Sequence, residues 1–103
     1  MEPEVWGPPA WTFLHSVTLN YPENPTVKDK ENYNNFFNLL GEILPCDKCK
    51  RHYKENIKEM PIKLESREEI TEWLFNIHNK VNESNGKTLY KYDDFINKYS
   101  YES

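Results

Sequence analysis

Three glycines, two cysteines and no long apolar run are what this chain offers a first reading. The missing glycines exclude a phosphate-cradling loop of the Gly-rich kind, since only Gly7, Gly41 and Gly86 occur and no two are close. Two cysteines are too few for the disulfide framework of a small secreted domain and two short of a four-thiolate zinc site. No stretch approaches the roughly 18 apolar residues that span a bilayer, and Met1-Glu2-Pro3-Glu4 lacks the basic and apolar regions of a signal peptide. The expectation is a soluble chain without a membrane partner. Positive charge is also short: 13 basic against 17 acidic residues leave a net charge of −4, which gives no pull towards a phosphate backbone. Nucleic acid is therefore not an expected partner.

What is present fits one domain over residues 1–103. A domain this small buries roughly two-thirds of its unfolded surface, so a bound cofactor, a disulfide or a partner subunit would add usefully to its stability. All seven prolines fall within the first 61 residues and punctuate the chain, because proline fixes φ and lacks a backbone donor. Between them apolar residues recur at three-and-four spacing, with no sustained strand-like alternation. The fold class is all-α.

A first helix is expected to begin near Pro8-Pro9 and to run to about Asn20, with Trp11, Leu14, His15 and Thr18 on one face. A second spans Lys28 to Leu44, its stripe made of Tyr33, Phe36, Phe37, Leu40, Ile43 and Leu44. Pro45 restarts the chain, and a third helix runs from Cys46 to about Glu59. Ser66 and Glu69 have capping-box spacing and open a fourth helix, which turns Ile70, Trp73, Leu74, Ile77, His78 and Val81 inward and stops at Asn85-Gly86. A short fifth helix, about Asp93 to Tyr99, carries Phe95, Ile96 and Tyr99. Short connections favour antiparallel neighbours, hence a four-helix bundle with a small additional C-terminal helix. Twelve asparagines make the surface rich in amides.

Cys46-Asp47-Lys48-Cys49 follows Pro45 and opens a helix, where free backbone N–H groups and the helix dipole stabilise a thiolate. Lys48, Lys50 and Arg51 add positive charge. A lowered thiol pKa suits disulfide exchange, because the thiolate attacks and a low-pKa thiol leaves readily. So short a loop removes little unfolded-state entropy, which weakens a purely structural purpose. Three readings stay open on the spacing alone: a redox disulfide, a metal site recruiting His52 with His15 or His78, and inert helix cysteines. A thioredoxin-like protein would need a βαβ sheet, which the periodicity does not offer.

Two further pairs lie one turn apart on helix faces, Trp11 with His15 and His78 with Asn82. Taken singly, Trp11 reads as core, either histidine as a satisfied buried group and Asn82 as a surface amide. Together with Lys87 and the dithiol they can converge at one mouth of a bundle and hold a planar, phosphate-bearing cofactor.

In its motifs the chain resembles the Erv/ALR flavin-linked sulfhydryl oxidases along nearly its whole length. The segments that carry the resemblance are WGPPAWTFLHSVTLNYP from Trp6 to Pro22, Pro45-Cys46-Asp47-Lys48-Cys49, Trp73-Leu74 through His78-Asn79-Lys80-Val81-Asn82, and Gly86-Lys87. The resemblance implies a helical bundle holding FAD non-covalently at one end, with the dithiol facing the isoalloxazine ring, and homodimerisation through the first two helices. By the same resemblance Trp11, His15, His78, Asn79, Val81, Asn82 and Lys87 fall on flavin-contacting positions, and so do Gly7, Tyr53 and Tyr99. Tyr99 stands where relatives often place a tryptophan. Stacking of Trp11 or His78 on adenine and an approach of Lys87 to the phosphates are expected on physical grounds.

The activity so implied is oxidation of thiol-containing protein substrates. A substrate thiolate attacks Cys46, the exposed sulfur, and Cys49, the flavin-proximal one, hands two electrons to FAD, which molecular oxygen reoxidises to give hydrogen peroxide. Many relatives also carry a structural disulfide joining the fourth helix to the C-terminal segment, and some a flexible shuttle CxxC; this chain has neither. It looks like the minimal form found in large DNA viruses. The implied location is host cytoplasm or virion for a viral chain and the mitochondrial intermembrane space for a cellular one. The rival reading is a helical interaction module whose thiol pair binds zinc or is incidental.

Overall fold

In the computed structural model the backbone is described for residues 1–100 and the side chains for residues 1–98. Five helices follow one another: α1 Pro3–Leu19, α2 Val27–Ile43, α3 Asp47–Glu59, α4 Arg67–Ser84 and α5 Tyr92–Ser100. No strand occurs among the described residues. Helix α1 packs on α4 and α2 on α3, α3 touches α4, and α5 closes against α1. The all-α bundle with a short extra helix is the architecture expected from the periodicity.

The start of α1 is not where the proline pair placed it. Pro3 occupies the first helical position, and Pro8 and Pro9 lie inside the helix. Each removes one i→i−4 donor, but the carbonyls left over belong to Glu4 and Val5, both exposed, so water satisfies them. Trp6 helps to fix this first turn by donating its indole N–H to the Met1 carbonyl at 3.1 Å.

Helix α2 opens with a reciprocal cap that the apolar stripe did not announce. The Thr26 hydroxyl accepts from the Asp29 N–H at 3.0 Å, while the Asp29 carboxylate accepts from the Thr26 N–H at 2.9 Å. Its inward centre is Phe37, Leu40 and Gly41, flanked by half-buried Tyr33, Phe36 and Leu44. Ile43 departs from the expected stripe, being 66% exposed. It lines up with Phe36 two turns earlier at the edge of the stripe, and the last turn leaves that edge uncovered. Gly41 lets α3 come close, since a Cβ there would stand 2.9 Å from Lys54 Cγ.

Ser66 caps α4, its hydroxyl accepting from the Glu69 N–H at 3.1 Å. The Glu69 carboxylate reaches back one residue further than a closed box requires, to the Glu65 N–H at 3.3 Å. All the residues expected inward on α4 are buried except Val81, which is half-buried, and Thr71, Phe75 and Asn82 join them. The core of Leu14, Tyr21, Phe37, Leu40, Tyr53, Ile70, Trp73, Leu74 and Ile77 satisfies its polar tips internally. Tyr21 donates to the Leu64 carbonyl at 2.7 Å and Trp73 to the Met60 carbonyl at 2.7 Å. This frame holds the N-termini of α1 and α3 together: the Met1 amine lies 3.5 Å from the Pro45 carbonyl.

Candidate active site

Cys46 is the N-cap of α3, not its first residue, in extended conformation with φ −165°. Its own N–H returns to the Leu44 carbonyl at 2.8 Å, which folds Pro45 out of the way. The sulfur therefore takes the place of the usual capping oxygen and accepts from the Cys49 N–H at 3.2 Å. The Cys49 thiol donates to the same sulfur at 2.6 Å. These donors, together with the Lys48 N–H and the nearby amino terminus, hold the Cys46 pKa below the ordinary thiol range. Burial and the negative neighbour have the opposite effect on Cys49, which is pushed up to about 11. The helix start thus separates two identical side chains, favouring the thiolate at Cys46 relative to Cys49.

A second constellation is built by α1 and α4. Trp11 lies flat on His78, ring centroids 3.8 Å apart and planes 6° apart. His15 Nε2 meets His78 Nδ1 at 2.9 Å, so one ring donates its N–H and the other accepts. Phe95 of α5 stands edge-on to His15 at 4.6 Å, and Tyr90 edge-on to His78 at 5.1 Å. Burial first, then the neighbouring His78 and Lys98, lowers His15 to about 3. Burial first, then the charges of Lys98 and Lys87, lowers His78 to about 4. Both imidazoles are neutral at pH 7, so the rings stack with Trp11 and share one hydrogen bond without burying a charge.

The remaining expected site residues divide clearly. Asn79 and Asn82 adjoin the cluster on α4, 3.4 Å apart through their amides, with half-buried Val81 between them in sequence. Gly86, at φ +69°, ends α4 in the left-handed conformation, and the next N–H, that of Lys87, returns to the Asn82 carbonyl at 2.8 Å. Lys87 is thereby anchored beside the cluster with its side chain exposed. Gly7 lies one turn before Trp11, half-buried, with open space where a Cβ would be. Tyr53 is not brought to the histidines: its hydroxyl donates to the Phe37 carbonyl at 2.6 Å, and its ring lines a 110 Å³ cavity with Phe37 and Trp73. The Tyr99 side chain lies outside the described residues.

Helix α1 connects the dithiol region, at its start, with the ring cluster, which it reaches at mid-helix through Trp11 and His15. Since the start of α1 rests against Pro45, a rise of about 1.5 Å per residue carries Trp11 roughly 12 Å further along. Two residues of the cluster escaped the sequence reading as site residues. Phe95 was legible as an inward residue of α5. Tyr90 belongs to an irregular segment where periodicity says nothing, and only an aromatic residue shortly after the Gly86 stop hinted at it. Among the described residues no group of three or more His, Cys, Asp or Glu is placed to hold a metal ion.

With this geometry in view, comparison with known proteins is decisive: the Erv1/Alr family matches residues 8–100. The chain belongs to the Erv1/Alr family. It is 43% identical over 99 residues to the probable FAD-linked sulfhydryl oxidase of Acanthamoeba polyphaga mimivirus, covering 93% of this chain and 69% of that protein. It is 40% identical over 79 residues to the mitochondrial FAD-linked sulfhydryl oxidase ERV1 of Saccharomyces cerevisiae, covering 77% of this chain but only 42% of the yeast protein. The crystal structure of the FAD-binding domain of Erv1 from the same yeast superposes with a TM-score of 0.91 at 34% identity, covering 96% of this chain and 94% of that one. The cellular relative is thus more than twice as long as the matched region, while the crystallised domain is matched almost throughout.

Proposed function

We infer that this chain is an FAD-dependent sulfhydryl oxidase that forms disulfides in thiol-containing protein substrates, with residues 1–103 acting as one domain. The observation that carries the reading is the arrangement at the α3 N-terminus, where Cys46 Sγ caps the helix and the two sulfurs lie 2.6 Å apart, with the Cys46 pKa lowered and that of Cys49 raised. Such a pair is built for exchange. The FAD-linked relatives and the matched FAD-binding domain supply the cofactor class.

The residues present fit a flavin dinucleotide. Trp11 and His78 offer flat faces, the neutral His15–His78 pair offers a hydrogen-bonding edge, Asn82 an amide, and Lys87 a cation for a phosphate. Gly7, Val81 and Asn79 line the approach along α1 and α4. Tyr53 would act from behind, by fixing α3 on α2 under the dithiol.

The exchange steps follow from the sulfur chemistry. In the resting disulfide form, a substrate thiolate bonds to the Cys46 sulfur and breaks the Cys46–Cys49 bond; Cys49 leaves and, with its raised pKa, takes up a proton readily. A second substrate thiolate then attacks the first substrate sulfur and expels Cys46, whose lowered pKa makes it the better leaving group. One substrate disulfide is formed, and two electrons stay on the Cys46–Cys49 dithiol. FAD, when bound, supplies the two-electron acceptor and the reaction with molecular oxygen that yields hydrogen peroxide.

A homodimer is part of this reading, supported by Val5 and Phe13 on α1 and Leu39 and Ile43 on α2, all more than half exposed and apolar. No helix among the described residues is long and apolar enough to cross a membrane. The working location follows the relatives: host cytoplasm or virion for a viral chain, mitochondrial intermembrane space for a cellular one.

The test is the visible absorption of the purified protein followed by thiol-dependent oxygen uptake. Stoichiometric FAD is expected, and Cys49→Ser is expected to abolish uptake while the flavin stays bound. Turnover retained in that variant would remove Cys49 from the chemistry. A folded protein that refuses added FAD would return the interaction-module reading to first place.

A further inference from the structure

The segment between α4 and α5, residues 86–91, has no regular structure, yet it is fastened at two points. The first is the helix stop, where the Lys87 N–H returns to the Asn82 carbonyl at 2.8 Å. The second lies three residues on, at Tyr90. There the Asn79 carboxamide pairs with the peptide of Tyr90 in both directions: Nδ2 donates to the Tyr90 carbonyl at 3.1 Å and Oδ1 accepts the Tyr90 N–H at 2.9 Å. An asparagine amide has the same donor and acceptor as a peptide unit, so it serves here as one rung of a ladder.

That rung determines where the Tyr90 ring goes. It stands edge-on to His78 at 5.1 Å with planes 76° apart, and the Lys98 ammonium lies over the Tyr90 ring, 5.7 Å from its centroid. His78 is the residue directly before Asn79, and the helical step of 100° sends the two side chains to different neighbours. The amide also has little capacity to spare. Oδ1 accepts from both the Tyr90 N–H and the Asn82 amide at 3.4 Å, which uses its two lone pairs and leaves one Nδ2 hydrogen for any ligand.

We propose that Asn79 is a positioning residue for the ring cluster: it acts on the cofactor site by clamping the 86–91 strap so that Tyr90 walls one side of buried His78, and Tyr90 is the side chain through which it acts. This rests on the oxidase reading for the identity of the bound group, but not for the clamp itself. The clamp reduces the freedom of a six-residue exposed segment, and Tyr90 keeps water from the His78 edge. Loss of either lets the strap lift and speeds release of whatever stacks on Trp11 and His78.

The experiment is a double-mutant cycle on the purified, flavin-loaded protein, read by flavin release in a fluorescence chase, by the visible circular dichroism of the bound flavin, and by trypsin cleavage after Lys87 and Lys91. Alanine is the best helix former, so Asn79→Ala keeps α4 intact. Two neutral hydrogen bonds at roughly 1 kcal/mol each correspond to release faster by about tenfold or more. We expect Asn79→Ala and Tyr90→Ala each to show that acceleration, the double variant no more than either single, and Tyr90→Phe to behave as wild type. Cleavage after Lys87 and Lys91 should rise by a similar factor in Asn79→Ala. Accelerations that multiply in the double variant, or flavin loss in Asn79→Ala with the strap as protected as before, would overturn the proposal and place Asn79 in direct contact with the flavin. If the wild-type protein neither carries nor takes up FAD, the oxidase reading fails, and the cleavage comparison on that same protein still decides the clamp.

Discussion

Acidifying the protein from pH 7 to pH 5 should destabilise it through two side chains on one hydrogen bond, His15 and His78. Burial lowers their pKa values from 6.5 to about 3 and about 4. The unfolded chain therefore binds more protons than the native state throughout the interval from about 6.5 down to about 4. Stability rises with pH wherever the unfolded state holds the extra protons, so these groups contribute in full above 6.5 and their contribution drains away as pH falls. At pH 5 an unfolded histidine of pKa 6.5 is almost wholly charged while the native one is not. The difference is about 2 kcal/mol per ring, hence about 2–4 kcal/mol for the pair once solvent screening and the shared proton are allowed for.

Against a typical stability of about 5–15 kcal/mol that loss is large. Ordinary carboxylates titrate mainly below about pH 5, so a comparison of pH 7 with pH 5 weights the histidines. Urea unfolding followed by far-ultraviolet circular dichroism at pH 7 and pH 5 measures it directly. With an m-value of about 1–3 kcal/mol/M, the midpoint should fall on the order of 1–3 M while m stays constant. A stability that changes by less than about 0.5 kcal/mol between the two pH values would refute the account. It would mean that the pair is protonated in the native state, or is not buried as described.

Two further outcomes follow from the helix ends. In the reduced protein at neutral pH, a small electrophile such as iodoacetamide should label Cys46 well before Cys49, because the Cys46 pKa is lowered and that of Cys49 raised; peptide mapping of singly labelled protein reads this, and preferential labelling of Cys49 would reverse the assigned roles. Gly86→Ala places a side chain at φ +69° and should cost roughly 1–2 kcal/mol, lowering the melting temperature by about 4–16 °C. Because the same turn anchors Lys87, that variant should also release flavin faster, and an unchanged melting temperature would contradict the left-handed stop.

Much of this arrangement is legible in the amino-acid sequence, wherever a local rule decides. The helical period exposes the inward face of α4, the Ser66 cap marks its start, and Pro45 ahead of the CxxC places a sulfur at a helix N-terminus. The departures occur where a local rule meets an exposed backbone. Pro8 and Pro9 read as a helix start because proline favours that position. They are tolerated inside α1 because the carbonyls they orphan face water. Thr26 and Asp29 form a closed cap although the usual pattern has Glu or Gln at its far end. Tyr90 carries no periodic signal, since its place depends on a side-chain amide eleven residues away.

The division between the two cysteines and the pairing of the two histidines lie on a different level. Nothing in the spacing of Cys46 and Cys49 says which sulfur becomes the cap; that follows from the chain turning at Leu44 and Pro45 so that only Cys46 remains outside the first helical turn. His15 and His78 are 63 residues apart, and their 2.9 Å contact exists because α1 and α4 pack side by side with both rings buried at one depth. Each histidine alone reads as a core residue, and each cysteine alone as an inert thiol. Packing α1 on α4 makes the ring cluster, and resting the start of α1 on Pro45 brings the dithiol to the N-terminal end of that same helix. The chemistry of the site is therefore a property of how helices α1, α3 and α4 meet, and a substitution that shifts α1 along its axis should disturb thiol exchange and cofactor retention together.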